Sequence, residues 1–263
     1  MERTSFSIWT TAKPFATEDD SLRCEHLVPD KGDNVDRYTD VTEPTLSFFP
    51  ASSPGLHPAM LVCPGGGYNH LAWNKEGLDI ASFLNLNGFS AFVLKYRCPG
   101  RRQAAHADAV RAMRLIRAEA EKFGIVPNQL GCIGFSAGAH LCATLTAPAD
   151  SFAYDPTDEI DKISYRPDFT VLVYPAYLAD ENLNIAPEFN INANTPPCLM
   201  IQSQDDHVKV ECSIGWFMAL KRAGVKAEMH IYPEGGHGYG LVYSGNAISN
   251  WGVLAADWLK RQI

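Results

Sequence analysis

Apolar positions recur along this chain in two rhythms, and the switches between them predict its architecture. Unbroken apolar runs rich in β-branched and aromatic residues at 59–63, 90–96, 130–135 and 169–174 read as strands buried on both faces, and two more follow at 198–202 and 227–232. Between these runs the apolar residues fall three and four apart. Residues 101–123 carry Val110, Met113, Ile116 and Ala120 at that spacing; 212–223 carry Ile214, Phe217, Met218 and Leu220; 249–261 carry Trp251, Leu254, Ala255, Trp258 and Leu259. Alternating strands and helices predict the α/β class, a mostly parallel twisted sheet with helices on both faces. The first fifty residues differ. Polar, proline-bounded segments surround one apolar stretch at 45–49, so antiparallel edge strands are expected there. Two stretches, 148–167 and 175–197, follow neither rhythm and are expected as pocket-shaping loops. A length of 263 residues fits a single domain.

Composition narrows the partners. Hydrophobic residues make up 46% of the chain and charged residues 20%, a balance that supports a large core and argues against long disorder. A net charge of −8 repels nucleic acid and anionic membranes, and no basic cluster longer than Arg101-Arg102 offsets it. A small-molecule or oligosaccharide partner is expected, with no nucleic acid and no membrane; the oligomeric state stays open. The seven cysteines are odd in number and form no Cys-x-x-Cys pair, and Cys63, Cys132 and Cys198 fall in predicted strands, so neither a disulfide framework nor a metal site is expected. Residues 1–9 lack the apolar core of a leader, which reads as cytoplasmic. A leader already removed would leave the same sequence, so secretion stays open.

One segment carries chemistry. Gly134-Phe135-Ser136-Ala137-Gly138 places a serine inside Gly-x-Ser-x-Gly between a predicted strand and an Ala-rich helical stretch, where a sharp turn would expose the hydroxyl and crowd both glycines. Such a pattern arises by composition in about one chain in ten, so its partners decide its meaning. A serine nucleophile needs a base. Of eight histidines, His237 stands in Glu234-Gly235-Gly236-His237-Gly238-Tyr239-Gly240, after the last strand, where a side chain can project over the sheet end. His140 is expected under the turn, His230 within a strand, His70 near the pocket, and His26, His57, His106 and His207 at the surface. An imidazole base needs a carboxylate, and Asp205-Asp206 follows the strand at 198–202. Counting from Pro197 favours Asp206; counting back from the next helix favours Asp205. We take Asp206 as the acid and keep Asp205 open. Oxyanion donors are expected at the amides of Gly66, Gly67 and Ala137, since Gly65-Gly66-Gly67 follows the first buried strand and lets backbone approach a ligand. A phosphate loop is disfavoured because His70 stands where the third glycine of Gly-x-Gly-x-x-Gly belongs. Tyr68, His70, Trp73 and Tyr177, with Tyr174 and Pro175, are candidates to line the pocket; ordinary aromatic packing is the competing reading. No metal or organic cofactor is required.

The chain order Ser136, Asp206, His237 is that of the α/β-hydrolases. Cys-Pro-Gly-Gly-Gly-Tyr at 63–68, Asn-Lys-Glu-Gly at 74–77, Lys-Tyr-Arg at 95–97, Gly-Phe-Ser-Ala-Gly-Ala-His at 134–140, Gln-Asp-Asp-His-Val at 204–208 and Gly-Gly-His-Gly-Tyr-Gly at 235–240 resemble the compact bacterial acetylxylan esterase-like, or sugar-ester, hydrolases. The resemblance covers roughly residues 40–263. It implies an α/β-hydrolase fold without a large cap domain, a cofactor-free serine esterase acting on short acyl esters of carbohydrates, and the second acid of the pair in the triad. Asp206-His207-Val208-Lys209-Val210 is one residue shorter than the usual stretch after that acid, which keeps Asp205 in play. Competing readings are a broad carboxylesterase, a small peptidase-like hydrolase, and a catalytically silent binding protein of the same fold.

Overall fold

A computed structural model describes residues 4–10, 12–149 and 153–263. The first residues of the chain, on which the leader reading partly rests, and part of the irregular stretch 148–167 lie outside the described residues. Three short strands precede the core: β1 (Thr4–Ser7), β2 (His26–Leu27) and β3 (Arg37–Thr39). Then come β4 (Thr45–Phe49), β5 (His57–Cys63), β6 (Leu71–Ala72), α1 (Asp79–Leu86), β7 (Ser90–Lys95), α2 (Arg102–Ala118) and α3 (Ala120–Phe123). The chain continues through β8 (Ile125–Phe135), α4 (Ala137–Thr146), β9 (Thr170–Val173), β10 (Cys198–Ser203), α5 (Glu211–Arg222), β11 (Ala227–Tyr232) and α6 (Trp251–Lys260).

Eight strands form one sheet in the order β1-β4-β7-β5-β8-β9-β10-β11. The pairs β1–β4 and β4–β7 are antiparallel and the remaining pairs parallel, so the expected antiparallel edge lies at the N-terminal side. Side chains alternate between the two faces, as a pleated strand requires. Ala59, Leu61 and Cys63 of β5 join one core with α2, α4 and α5, while Met60 and Val62 join another with α1 and α6. The same alternation separates Cys198 and Met200 from Leu199 and Ile201 on β10. Both faces are therefore covered, which is why the strands read as continuous apolar runs. Among the described residues no helix is long and apolar enough to cross a membrane.

Several expectations change. Strands β2 and β3 leave the main sheet and pair with β6 in a separate three-stranded antiparallel sheet. The stretch 101–123 holds two helices, broken at Glu119 and closed by Gly124 at φ +61°. A π-helical turn (Asn74–Leu78) running into α1 has no counterpart in the sequence reading. His106 is buried rather than superficial, since it lies on the inner face of α2 and hydrogen-bonds Thr144 Oγ1 of α4 at 2.9 Å.

Candidate active site

The C-terminal ends of the parallel strands converge on one cleft, where the strand order reverses around β5, with β7 on one side and β8 on the other. The turn from β8 into α4 carries Ser136 at φ +52°, a conformation that costs a non-glycine residue free energy and holds its side chain out of the turn. Close packing enforces that turn. A Cβ on Gly134 would meet the carbonyl oxygen of Gly138 at 2.2 Å, and one on Gly138 would meet that of Cys63 at 2.1 Å, so α4 sits directly on the end of β5.

Three loops bring polar groups to Ser136. His237, in the loop after β11, places Nε2 2.9 Å from Ser136 Oγ. Its Nδ1 lies 2.8 Å from Asp206 Oδ2, a contact that makes Nδ1 the protonated nitrogen and leaves Nε2 free to accept the serine proton. Asp206 is buried and also accepts the Val208 amide at 2.8 Å and Gln202 Nε2 at 3.0 Å. Ser213 Oγ donates to Gln202 Oε1 at 3.1 Å, which orients that amide. Asp205 points elsewhere: it accepts the amides of Gly236 at 2.8 Å and Gly235 at 3.3 Å, and these bonds hold its carboxyl below the usual range. It clamps the histidine loop, as does Ser203 Oγ by donating to Gly236 O at 2.6 Å. Of the two aspartates, therefore, Asp206 meets the imidazole.

The glycine loop after β5 forms the opposite wall. Gly66 has φ +132°, and a Cβ there would strike the His70 carbonyl at 2.1 Å. Gly66 and Gly67 both line the cleft, and Ala137, first residue of α4, has an amide with no partner inside the helix. A cavity of about 740 Å³ opens here, lined by Ser136, His237, His70 and Tyr177 together with Arg37, Asn69 and Lys75. Burial pushes the His70 imidazole below its ordinary value, with Arg37 and Lys31 adding to the shift. Arg37 is neutralised by two hydrogen bonds to Asp33.

Two of the proposed pocket aromatics lie elsewhere. Tyr68 is buried beneath the site, its hydroxyl 2.7 Å from His140 Nδ1, and Trp73 packs edge-on against Tyr38 in the core. Neither lines the cavity, because apolar bulk at both positions closes the layer under the loop. Tyr174 is also buried, with its ring 4.9 Å from that of His237. His207 is exposed as expected, yet it lines the cavity and lies 4.9 Å from the His237 ring. The stretch 175–197 contributes Ala176, Tyr177 and Ala179 to the wall, whereas the described residues of 148–167 contribute none. Glu76, which the sequence marks only as part of the Asn-Lys-Glu-Gly motif at 74–77, is buried at the cleft wall. Among the described residues no group of three or more His, Cys, Asp or Glu side chains could hold a metal ion.

Sheet order, the turn at Ser136 and the loops around it define an α/β-hydrolase. Residues 47–173 match the BD-FAE family. The chain is 30% identical over 222 residues to an acetylxylan esterase of Xylanibacter ruminicola, covering 74% of this chain and 43% of that protein. It is 32% identical over 241 residues to endo-1,4-beta-xylanase B of Butyrivibrio fibrisolvens, covering 80% and 37%. It thus spans about two fifths of the length of the curated relatives it matches. The crystal structure of an acetyl ester-xyloside bifunctional hydrolase from Caldicellulosiruptor lactoaceticus matches with a TM-score of 0.80 and 30% identity over 98% of this chain and 96% of that one. The chain belongs to the acetylxylan esterase-like family of α/β-hydrolases.

Proposed function

We propose that this chain is a serine esterase that removes short acyl groups, acetyl foremost, from carbohydrates or similar alcohols. The observation that carries the reading is the unbroken relay from Ser136 Oγ through both nitrogens of His237 to Asp206, at 2.9 and 2.8 Å. Ser136 Oγ attacks the ester carbonyl as His237 Nε2 takes its proton, and Asp206 stabilises the resulting imidazolium. The amides of Gly66, Gly67 and Ala137 receive the oxyanion. His237 then gives its proton to the departing alcohol, leaving an acyl-enzyme. Water enters, loses a proton to the same nitrogen and releases the acid as Ser136 is restored.

The choice of alcohol and acyl group draws on the relatives, two of which are named for acetyl esters and one for xylan hydrolysis. An open cavity of about 740 Å³ with several polar walls suits a sugar unit. The test combines labelling with substrate choice. A fluorophosphonate probe labels the native chain and leaves Ser136→Ala unlabelled, and p-nitrophenyl esters are cleaved fastest as acetate, with acetate also released from acetylated xylo-oligosaccharides. Equal labelling of Ser136→Ala would remove the nucleophile. A preference for long acyl chains would remove the substrate reading alone.

A further inference from the structure

Glu76 is only 5% exposed, lies against the site, and has no step in the proposed reaction. It sits in the π-helical turn (Asn74–Leu78), an irregularity that recurs at functional sites. Its two oxygens serve different loops. Oε2 accepts the Gly65 amide at 2.7 Å, and Oε1 accepts the hydroxyl proton of Tyr174 at 2.8 Å. Tyr174 Oη in turn accepts the Gly240 amide at 3.3 Å, and its ring lies beside His237. A chain of hydrogen bonds therefore joins the glycine loop to the histidine loop through one carboxylate. Gly65, which that carboxylate holds, is itself packed against the serine turn, since a Cβ on it would meet Phe135 O at 2.5 Å and Ser136 Cβ at 3.0 Å.

Burying a carboxylate without a cation is costly, and among the described residues no Lys or Arg forms an ion pair with Glu76. A glutamine could have filled the same volume at less cost. Burial pushes the Glu76 carboxyl up, while Tyr174, Gly65, His237 and Lys75 pull against that. The titratable groups around Glu76 and His237 are Asp206, His207, Tyr174, Tyr239, Lys75 and Arg37, with Asp33, His70 and Lys209 lining the same cleft. Asp206 brings a further negative charge, and that of Asp33 is paired with Arg37.

Resting on the esterase reading, we infer that Glu76 is a positioning residue: it fixes the oxyanion loop against Ser136, steadies His237 through Tyr174, and lends its charge to the imidazolium. Glu76→Gln keeps the volume and an acceptor for Gly65 but removes the charge and presents donors to Tyr174. With p-nitrophenyl acetate its kcat falls about 100-fold with KM within about threefold of the native value. The acid limb of its pH profile moves to lower pH, because an imidazole with one fewer anion beside it gives up its proton more easily. Tyr174→Phe keeps the charge and cuts only the link, so kcat falls about tenfold and the limb stays in place. The inference is overturned if folded Glu76→Gln keeps kcat within threefold, or loses it without any movement of the limb. Should Glu76→Gln fail to fold, a Tyr174→Phe kcat within threefold of native overturns it and a tenfold loss supports it. A native chain that neither hydrolyses the ester nor takes the probe would overturn the esterase reading instead.

Discussion

Asp206 and Asp108 are both buried, and each accepts hydrogen bonds from at least three donors, yet they belong to opposite kinds of structure. Asp108, on α2, is bound by the amide and guanidinium of Arg97 at 2.8 to 3.1 Å and by Trp9 Nε1 at 2.8 Å. Arg97 donates onward to the carbonyls of Pro14 and Ala104, so the group ties the N-terminal segment to the helix and the end of β7. A guanidinium does not release its proton under ordinary conditions, and the cluster can only hold. Asp206 meets an imidazole, a partner that can carry a proton or give it up. The nearby network around Asp161 is of the first kind. Burial works against its charge, but the amide and hydroxyl of Thr157 and the hydroxyl of Tyr154 outweigh this and hold its carboxyl down to about 2. What a buried carboxylate can do follows from whether its partner titrates.

Exchanging each acid for its amide separates the two kinds. Asp206→Asn keeps the size of the side chain but no longer enforces the Nδ1–H tautomer of His237, so kcat falls about 10⁴-fold. Asp205→Asn loosens a loop clamp and costs about tenfold or less. Steady-state rates on p-nitrophenyl acetate decide it. If Asp205→Asn proved the more damaging, the hydrogen bond between Asp206 and His237 would have no catalytic meaning.

Asp108→Asn reverses the balance between activity and stability. It leaves Arg97 charged and buried without its anion, an arrangement that costs about 3–5 kcal/mol. In a domain of this size the melting temperature drops on the order of 10 °C, read by calorimetry. Well below that temperature kcat stays within about threefold of native, since the hydrogen-bond partners of Asp108, Trp9 and Arg97, do not line the cleft. A large loss of kcat in the folded variant would erase the distinction between holding and reacting carboxylates.

The sequence predicted the holding and reacting parts unequally. Strands at 59–63 and 198–202 were legible because burial on both faces makes them largely apolar, whereas 227–232, the last strand of the sheet, is only partly buried and carries Glu228 and His230 among its apolar residues. Ser136 was legible because glycines must flank a turn packed as tightly as Gly134 on Gly138, and His237 because its loop takes positive φ at both flanking positions, Gly236 and Gly238. The choice between Asp205 and Asp206 turned on one residue of register in a short loop, which apolar spacing does not encode; the resemblance favoured the residue that meets His237. Glu76 left no periodic signal, being a charged residue in a π-helical turn whose donors come from 65 and 174. Tyr68 and Trp73 were misplaced because an aromatic side chain beside a glycine loop reads alike whether it faces the ligand or closes the core beneath. His106 was read as superficial for want of any motif, although its place on the inner face of α2 follows from the same helical spacing as Val110 and Met113.

That histidine offers the mildest and most selective test of the comparison. Burial holds the His106 imidazole down to about 3, with His140 and Arg114 adding to the shift, whereas in the unfolded chain an imidazole titrates near 6.5. Between these values the unfolded chain takes a proton that the folded chain refuses. Stability contributed by the neutral ring is therefore intact above about pH 6.5, declines as pH falls, and is fully lost by about pH 3. From pH 7 to pH 5 the loss from this one group is about 2 kcal/mol. His106→Gln has no such proton to refuse, so its unfolding free energy, measured by denaturant titration at both pH values, falls by about 2 kcal/mol less than that of the native chain. His237, with Asp206 on one nitrogen, must accept a proton in every proposed cycle, while His106, with Thr144 Oγ1 as its partner, is kept from doing so. An identical pH-dependent loss in both proteins would mean that His106 is free to protonate in the folded state, and that burial alone does not divide the two histidines.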